Sequence, residues 1–140
     1  PRHPKDLIDM AHSPAYFTAA GARDKAFGWE HASLAKINDP VIHALIDKVR
    51  VGPPPTSNAA AYRQGATVSI ETTDGRVVTD TVLVPKGAAS LGLAWSDIEA
   101  KYRSLAVHAP LATDKVEASL QAIRQLRTTH DISTVIDQLR

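Results

Sequence analysis

Cysteine is absent from all 140 residues. Disulfides, zinc–thiolate centres, iron–sulfur ligation and a cysteine nucleophile are thereby excluded within the chain. The absence fits a reducing compartment, and the expected location is cytoplasmic. No apolar run approaches the length of a membrane span, and the N-terminus has no signal-peptide core. Excess charge is missing too. Sixteen Lys plus Arg against fifteen Asp plus Glu leave a net charge of +1, which removes the electrostatic case for nucleic acid or an anionic membrane surface. Arg124 and Arg127 sit among acids and Gln, as on a solvated helix face. Gly-rich phosphate loops, a nucleophile elbow and base-reading aromatic motifs do not occur. His3, His31, His43, His108 and His130 show no HExxH or HxH spacing, so no metal is expected.

What is present is an apolar fraction of 44%, enough for one globular domain with a real core. The first residue is Pro1 rather than Met, and residues 1–140 are read as a piece of a longer protein. After a polar arm (Pro1 to Lys5), Ser13 is a good N-cap and Pro14 suits the first position of a helix to about Arg23. Trp29 to Ile37 is a second apolar-periodic segment, closed by Asn38-Asp39-Pro40. Asp39 then caps a helix from Pro40, with Val41, Leu45 and Val49 on one stripe and Ile42 and Ile46 beside them. Val49-Arg50-Val51 is a candidate short strand. From Pro53 to Gly65 the composition is that of an exposed connection.

The clearest β signal follows. Thr67–Thr73 and Arg76–Val84 flank Asp74-Gly75, a hairpin turn. A plain two-residue turn places Val77, Thr79, Thr81 and Leu83 on the face of Val68 and Ile70. A one-residue shift, with Gly75 as a bulge, places Val78, Asp80, Val82 and Val84 there instead. The second face is the more apolar, which favours the bulged turn. Ser96-Asp97-Ile98-Glu99 reads as a capping box opening a helix to about Val107. Thr113 then caps a helix with Val116, Leu120, Ile123 and Leu126 on its inner stripe. Asp131 or Ser133 starts a last short helix with Val135, Ile136 and Leu139. Helices flanking one antiparallel hairpin make the class α+β.

The opening of the first long helix, His12-Ser13-Pro14-Ala15-Tyr16, holds the most chemistry. Tyr16 can donate a hydrogen bond to a carboxylate as a neutral phenol, and His12 can act as acid or base. Lys86, at a loop tip after the hairpin, can meet an acidic substrate. Plainer roles compete with each: a core aromatic for Tyr16, a surface imidazole for His12, an N-cap for Ser13, a solvated cation for Lys86. Trp29 and Trp95 read as core or interface anchors.

Four stretches in this order resemble the C-terminal domain of the MmgE/PrpD family, which includes 2-methylcitrate dehydratase, cis-aconitate decarboxylase and iminodisuccinate epimerase. They are His12-Ser13-x-x-Tyr16, Asn38-Asp39-Pro40-Val41-Ile42 through Lys48-Val49-Arg50-Val51, the Val68-to-Gly75 hairpin leading to Pro85-Lys86-Gly87, and Ser96-Asp97-Ile98-Glu99-Ala100-Lys101-Tyr102. Two features depart from the family. The loop Ala88-Ala89-Ser90-Leu91-Gly92-Leu93-Ala94 lacks the usual Pro and Asn-Pro pair, and Pro14 replaces a larger residue.

The resemblance implies that residues 1–140 form a single C-terminal lid domain. Its partner would be a larger helical N-terminal domain, outside this chain, that supplies most catalytic groups. It implies a lyase or isomerase (dehydratase, decarboxylase or epimerase) acting on a small di- or tricarboxylic acid such as 2-methylcitrate. No metal or organic cofactor is implied, and a homodimer is. Carried over by residue, the catalytic candidates are Tyr16 and His12, with Ser13 and Lys86 as substrate contacts. The chain alone, with too few acid, base and clamp groups, is expected to be inactive. The alternative is a free-standing, non-catalytic α+β binding or interaction module. A lid parted from its partner should leave an apolar surface uncovered.

Overall fold

The computed structural model describes residues 1–56, 59–88 and 90–139, the side chains of Ala59 and Arg63 excepted. Ser57 and Asn58 of the connection and Ala89 of the small-residue loop lie outside the described residues. The class is α+β, and the chain divides into two compact units, residues 1–54 and 55–140.

In the first unit, four helices surround one core: α1 (Leu7–Ala11), α2 (Pro14–Asp24), α3 (Leu34–Ile37) and α4 (Pro40–Ile46). A single 3-10 turn, Trp29–His31, lies between α2 and α3. Side-chain caps set all four starts, that of α3 through Ser33 Oγ, which accepts the Lys36 N–H at 3.4 Å. Asp6 accepts the Asp9 N–H at 2.8 Å, Ser13 Oγ accepts that of Tyr16 at 3.2 Å, and Asp39 accepts those of Val41 and Ile42 at 2.8 and 3.3 Å. Pro14 and Pro40 occupy first-turn positions, where no N–H is missed. Helix α1 was not expected from the sequence. Its five residues bury only Met10, and so short an element leaves no periodic stripe.

Helix α2 packs on α4, and the core comprises Met10, Tyr16, Ala19, Ala20, Ile37, Ile42 and Ile46. The small side chains of Ala19 and Ala20 let α4 come close. Each fully buried Ile stabilises the unit by about 1.5–3 kcal/mol relative to leaving it exposed. The stripe on α4 is therefore Ile42 and Ile46, whereas Val41 is exposed. Val49 falls beyond the last helical residue and cannot extend a helical stripe. Nor does Val49-Arg50-Val51 form a strand. The Arg2 guanidinium donates to the carbonyls of Ile46 (2.7 Å), Asp47 (3.2 Å) and Val49 (2.7 Å), and Arg50 donates to those of Asp47 and Val49, so these carbonyls serve as a helix C-terminus.

The second unit begins with a 3-10 helix, Ala59–Gln64, inside what the composition marks as a plain connection. Strands β1 (Ala66–Glu71) and β2 (Val77–Val82) then pair antiparallel, with Val68 opposite Asp80 and Ile70 opposite Val78. This is the bulged register. The Gly75 N–H donates to the Thr72 carbonyl at 2.9 Å, and Gly75 holds the left-handed φ of 82° that the turn requires. Ala66, Val68, Ile70, Val78 and Val82 share one face with Asp80. Hydroxyls line the other, where Thr67 pairs with Thr81 at 2.7 Å and Ser69 with Thr79 at 2.8 Å.

Helices α5 (Trp95–Ala106), α6 (Thr113–Arg124) and α7 (Ser133–Ile136) complete the unit, with 3-10 turns at Leu126–Thr128 and Asp137–Leu139. The expected capping box is displaced by two residues: Asp97, not Glu99, reaches back, accepting the Ala94 N–H at 3.2 Å. Glu99 instead binds Arg103 and Arg124 at 3.3 and 3.0 Å. Thr113 is the first helical residue of α6 rather than its cap. Val116, Ser119, Leu120 and Val135 are buried, while Leu126, displaced into the 3-10 turn, is exposed. Arg103 joins α5 to α6 through both oxygens of Glu117, at 2.7 and 2.8 Å. Neither tryptophan is buried; the Arg124 guanidinium lies 5.8 Å from the Trp95 ring centre.

Candidate functional site

The mouth of α2 is built by its cap. Ser13 is fully buried, and its Oγ both accepts the Tyr16 N–H and donates to the Arg2 carbonyl at 2.9 Å. Its hydroxyl is fully used in joining the arm to the helix. His12, the residue after α1, is exposed. Tyr16 points the other way, into the core, with no accessible surface. Its hydroxyl donates to the His31 carbonyl at 2.8 Å. The rings of Phe17 and Phe27 meet Tyr16 edge-on. Burial raises the Tyr16 phenol above its ordinary value of 10, and the carboxylates of Asp24 and Asp39 add to the shift.

Beneath Tyr16 lies a charged network that local spacing did not mark. His31 is buried. Its Nδ1 accepts the Gly28 N–H at 3.0 Å, which leaves the ring proton on Nε2, 3.0 Å from Asp24 Oδ2. The Glu30 carboxylate also lies 3.2 Å from Nδ1, on a side chain more than half exposed to water. Asp24 is bound further by Lys36 and by Arg23, whose other nitrogen reaches Asp39 at 3.1 Å. The Lys36 hydrogen bond is foremost in lowering the Asp24 carboxyl to about 2; burial opposes it, and Arg23 and His31 assist. With both nitrogens of His31 engaged, the Asp24–His31 pair lacks the free nitrogen of a general base. It fixes the carbonyl that accepts the Tyr16 hydrogen bond.

Lys86 belongs to the second unit. It is exposed and pairs with Asp97 Oδ1 at 2.6 Å, and that bond leads in holding the Asp97 carboxyl below its usual range. An open groove of about 730 Å3 runs beside them along α5, lined among others by Leu93, Ile98, Tyr102 and Leu105. The structure thus places His12, Ser13 and Tyr16 at one helix start but turns exposed His12 and buried Tyr16 apart, and it places Lys86 in the other unit. Asp24 and His31 were missed because seven residues separate them and neither follows a known spacing. Among the described residues, no three His, Cys, Asp or Glu side chains converge as metal ligands.

The model of the MmgE/PrpD C-terminal domain matches residues 1–134, running through both units. The chain belongs to the MmgE/PrpD family. A search among curated proteins finds no match. The family assignment rests on nearly the whole chain, so it includes the helix mouth, the charged network, the hairpin and the groove. Among the described residues, no helix is long and apolar enough to cross a membrane.

Proposed function

We propose that this chain is the lid domain of a cofactor-independent lyase or isomerase acting on a small di- or tricarboxylic acid, with 2-methylcitrate as a representative substrate. The match of residues 1–134 to the C-terminal domain of the family carries the reading. The chemistry would be proton abstraction beside a carboxylate, followed by loss of hydroxide, loss of carbon dioxide or reprotonation. A helical N-terminal domain would supply most acid, base and clamp groups, in a homodimeric, cytoplasmic enzyme.

The hairpin supports a covered role. Val68, Ile70, Val78 and Val82 are 40%, 44%, 62% and 55% exposed on one face. A two-stranded sheet whose exposed face is apolar but for Asp80 is marginal by itself, and such a face suits a partner surface.

Tyr16 and His12 remain the proposed catalytic pair, with Ser13 and Lys86 as the proposed substrate contacts. Their geometry sets conditions. For Tyr16 to donate to a substrate carboxylate, its hydroxyl must leave the His31 carbonyl. For Lys86 to do so, it must exchange Asp97 for the substrate. Exposed His12 needs no such exchange.

The test is turnover of a panel of small polycarboxylates by the full-length parent protein, wild type and Tyr16→Phe, beside the 140-residue chain. The expected result is turnover by the parent, at least a tenfold loss in folded Tyr16→Phe, and none by the chain. Turnover of 2-methylcitrate or cis-aconitate by the chain alone overturns the division of labour. A parent inert to every polycarboxylate overturns the substrate class.

A further inference from the structure

The first unit holds a second cluster of titratable side chains, away from α2. His3 of the N-terminal arm and His43 of α4 face each other through their Nδ1 atoms, 2.7 Å apart. The rings are 3° from parallel and their centres are 5.0 Å apart. That separation equals the nitrogen gap plus one ring radius at each end. The rings therefore meet in line, edge to edge, rather than face to face. Both outer nitrogens are engaged as well. His43 Nε2 lies 2.8 Å from the Ile37 carbonyl oxygen, and His3 Nε2 lies 2.9 Å from Asp47 Oδ1.

Counting protons gives the charge. A carbonyl and a carboxylate only accept, so each outer nitrogen must carry a hydrogen. The inner contact needs one hydrogen between its two nitrogens. Three contacts thus require three protons on two imidazoles, one more than a neutral pair holds. His43 donates to Ile37 and keeps a lone pair on Nδ1. His3 donates from both nitrogens and is the imidazolium. The in-line approach suits a shared proton; a metal bound at about 2.0–2.1 Å from each nitrogen would spread the two rings and set them at an angle.

The groups around the pair are specific. From α4 and its end come the Asp47 carboxylate, which favours the imidazolium, and the Arg50 guanidinium, which opposes it while bound to the Asp47 and Val49 carbonyls. From the arm comes Arg2, bound to the same carbonyls and that of Ile46, and at α1 the Asp9 carboxylate accepts the Lys5 N–H at 3.3 Å. From α3 comes the Ile37 carbonyl, while Lys36 is turned to Asp24.

We propose that His3 and His43 form a proton-sharing clasp that fastens the N-terminal arm to α4 while the pair holds three protons. The docked pair holds three at every pH at which it persists. Released, the two imidazoles hold four protons in acid and two in alkali. By linkage, docking weakens as pH falls, because the released state then binds more protons, and weakens again as pH rises, because it then binds fewer. The clasp therefore has a bell-shaped pH dependence. Its maximum lies where imidazoles change charge, about pH 5 to 8. Each limb approaches about tenfold per pH unit in the docking equilibrium, the slope for one proton.

The experiment is NMR of the 140-residue chain with 15N-labelled histidine, from pH 4.5 to 9.5, together with hydrogen-exchange protection factors for the Lys5 amide. The expected result is three protonated and one bare nitrogen across these two rings at the maximum. Lys5 protection should fall on both sides of it, and His3→Gln should abolish the bell. Two bare nitrogens at the pH of greatest protection overturn the proposal. So does protection that is flat or changes in one direction only. The wild-type spectra decide the matter even if His3→Gln fails to fold.

Discussion

Tyr16 donates its hydroxyl to the His31 carbonyl at 2.8 Å, and both residues are closed to solvent. The bond ties the first turn of α2 to the 3-10 turn fifteen residues on. It also gives the phenol a structural task that any catalytic task must displace. Tyr16→Phe removes the donor and leaves a buried carbonyl unpaired, which costs about 1–3 kcal/mol. Urea unfolding of the chain should show that loss. In wild type, ultraviolet titration compared with Tyr16→Phe should find the Tyr16 phenol ionising above its ordinary value, because it is buried.

Acid should loosen the first unit through Asp24. Its carboxyl is lowered to about 2 in the folded state, with the Lys36 hydrogen bond foremost. The stabilisation is complete above the ordinary Asp value of about 3.9 and is lost as pH falls through the folded value. Methyl NMR signals of Ile42 and Ile46 should report a transition between about pH 4 and 2. Asp24→Asn should be less stable at neutral pH and should flatten that acid limb. An unchanged limb in Asp24→Asn assigns the transition to other carboxylates.

Two glycines of the hairpin should fail differently. A Cβ on Gly65 would sit 2.5 Å from the Leu83 backbone and the Val82 carbonyl, which no side-chain rotation relieves. Gly65→Ala should cost about 1–3 kcal/mol and fray the start of β1. Gly75 has open space but a φ of 82°. There Ala should cost about 1–2 kcal/mol, and Asn, which visits that region more readily, less. Amide exchange across Ala66–Glu71 measures both.

The apolar hairpin face offers a test of the proposed helical partner domain. Val78 is exposed here, so Val78→Lys should change the stability of the 140-residue chain by no more than about 0.5 kcal/mol. If a helical domain covers the face, the same substitution in the full-length protein should lower turnover at least tenfold. Equal turnover in parent and variant removes the face from the domain contact.

Local signals carried most of the fold. Ser13 and Pro14, Asp39 and Pro40, and Asp74-Gly75 each act within a few residues, and each marks a boundary the structure has. The hairpin register followed from comparing the apolar content of two faces. What stayed hidden is non-local. His31 serves Tyr16 from fifteen residues away, and His3 meets His43 across forty. No spacing rule reaches that far. Helix α1 was lost for another reason: five residues are too few to establish a hydrophobic period. For the site, residue types at the α2 mouth were legible, but their direction was not: the pattern does not distinguish an inward Tyr16 from an outward one.

The polar arm bears on where this domain can be cut. Arg2 closes the end of α4, its carbonyl receives Ser13 Oγ, and Pro4 is fully buried. A truncation or fusion boundary placed at Lys5 would leave the Ile46 carbonyl without a guanidinium, leave those of Asp47 and Val49 to Arg50 alone, and leave a buried hydroxyl without its acceptor. The smallest segment that retains the fold of the first unit therefore includes Arg2.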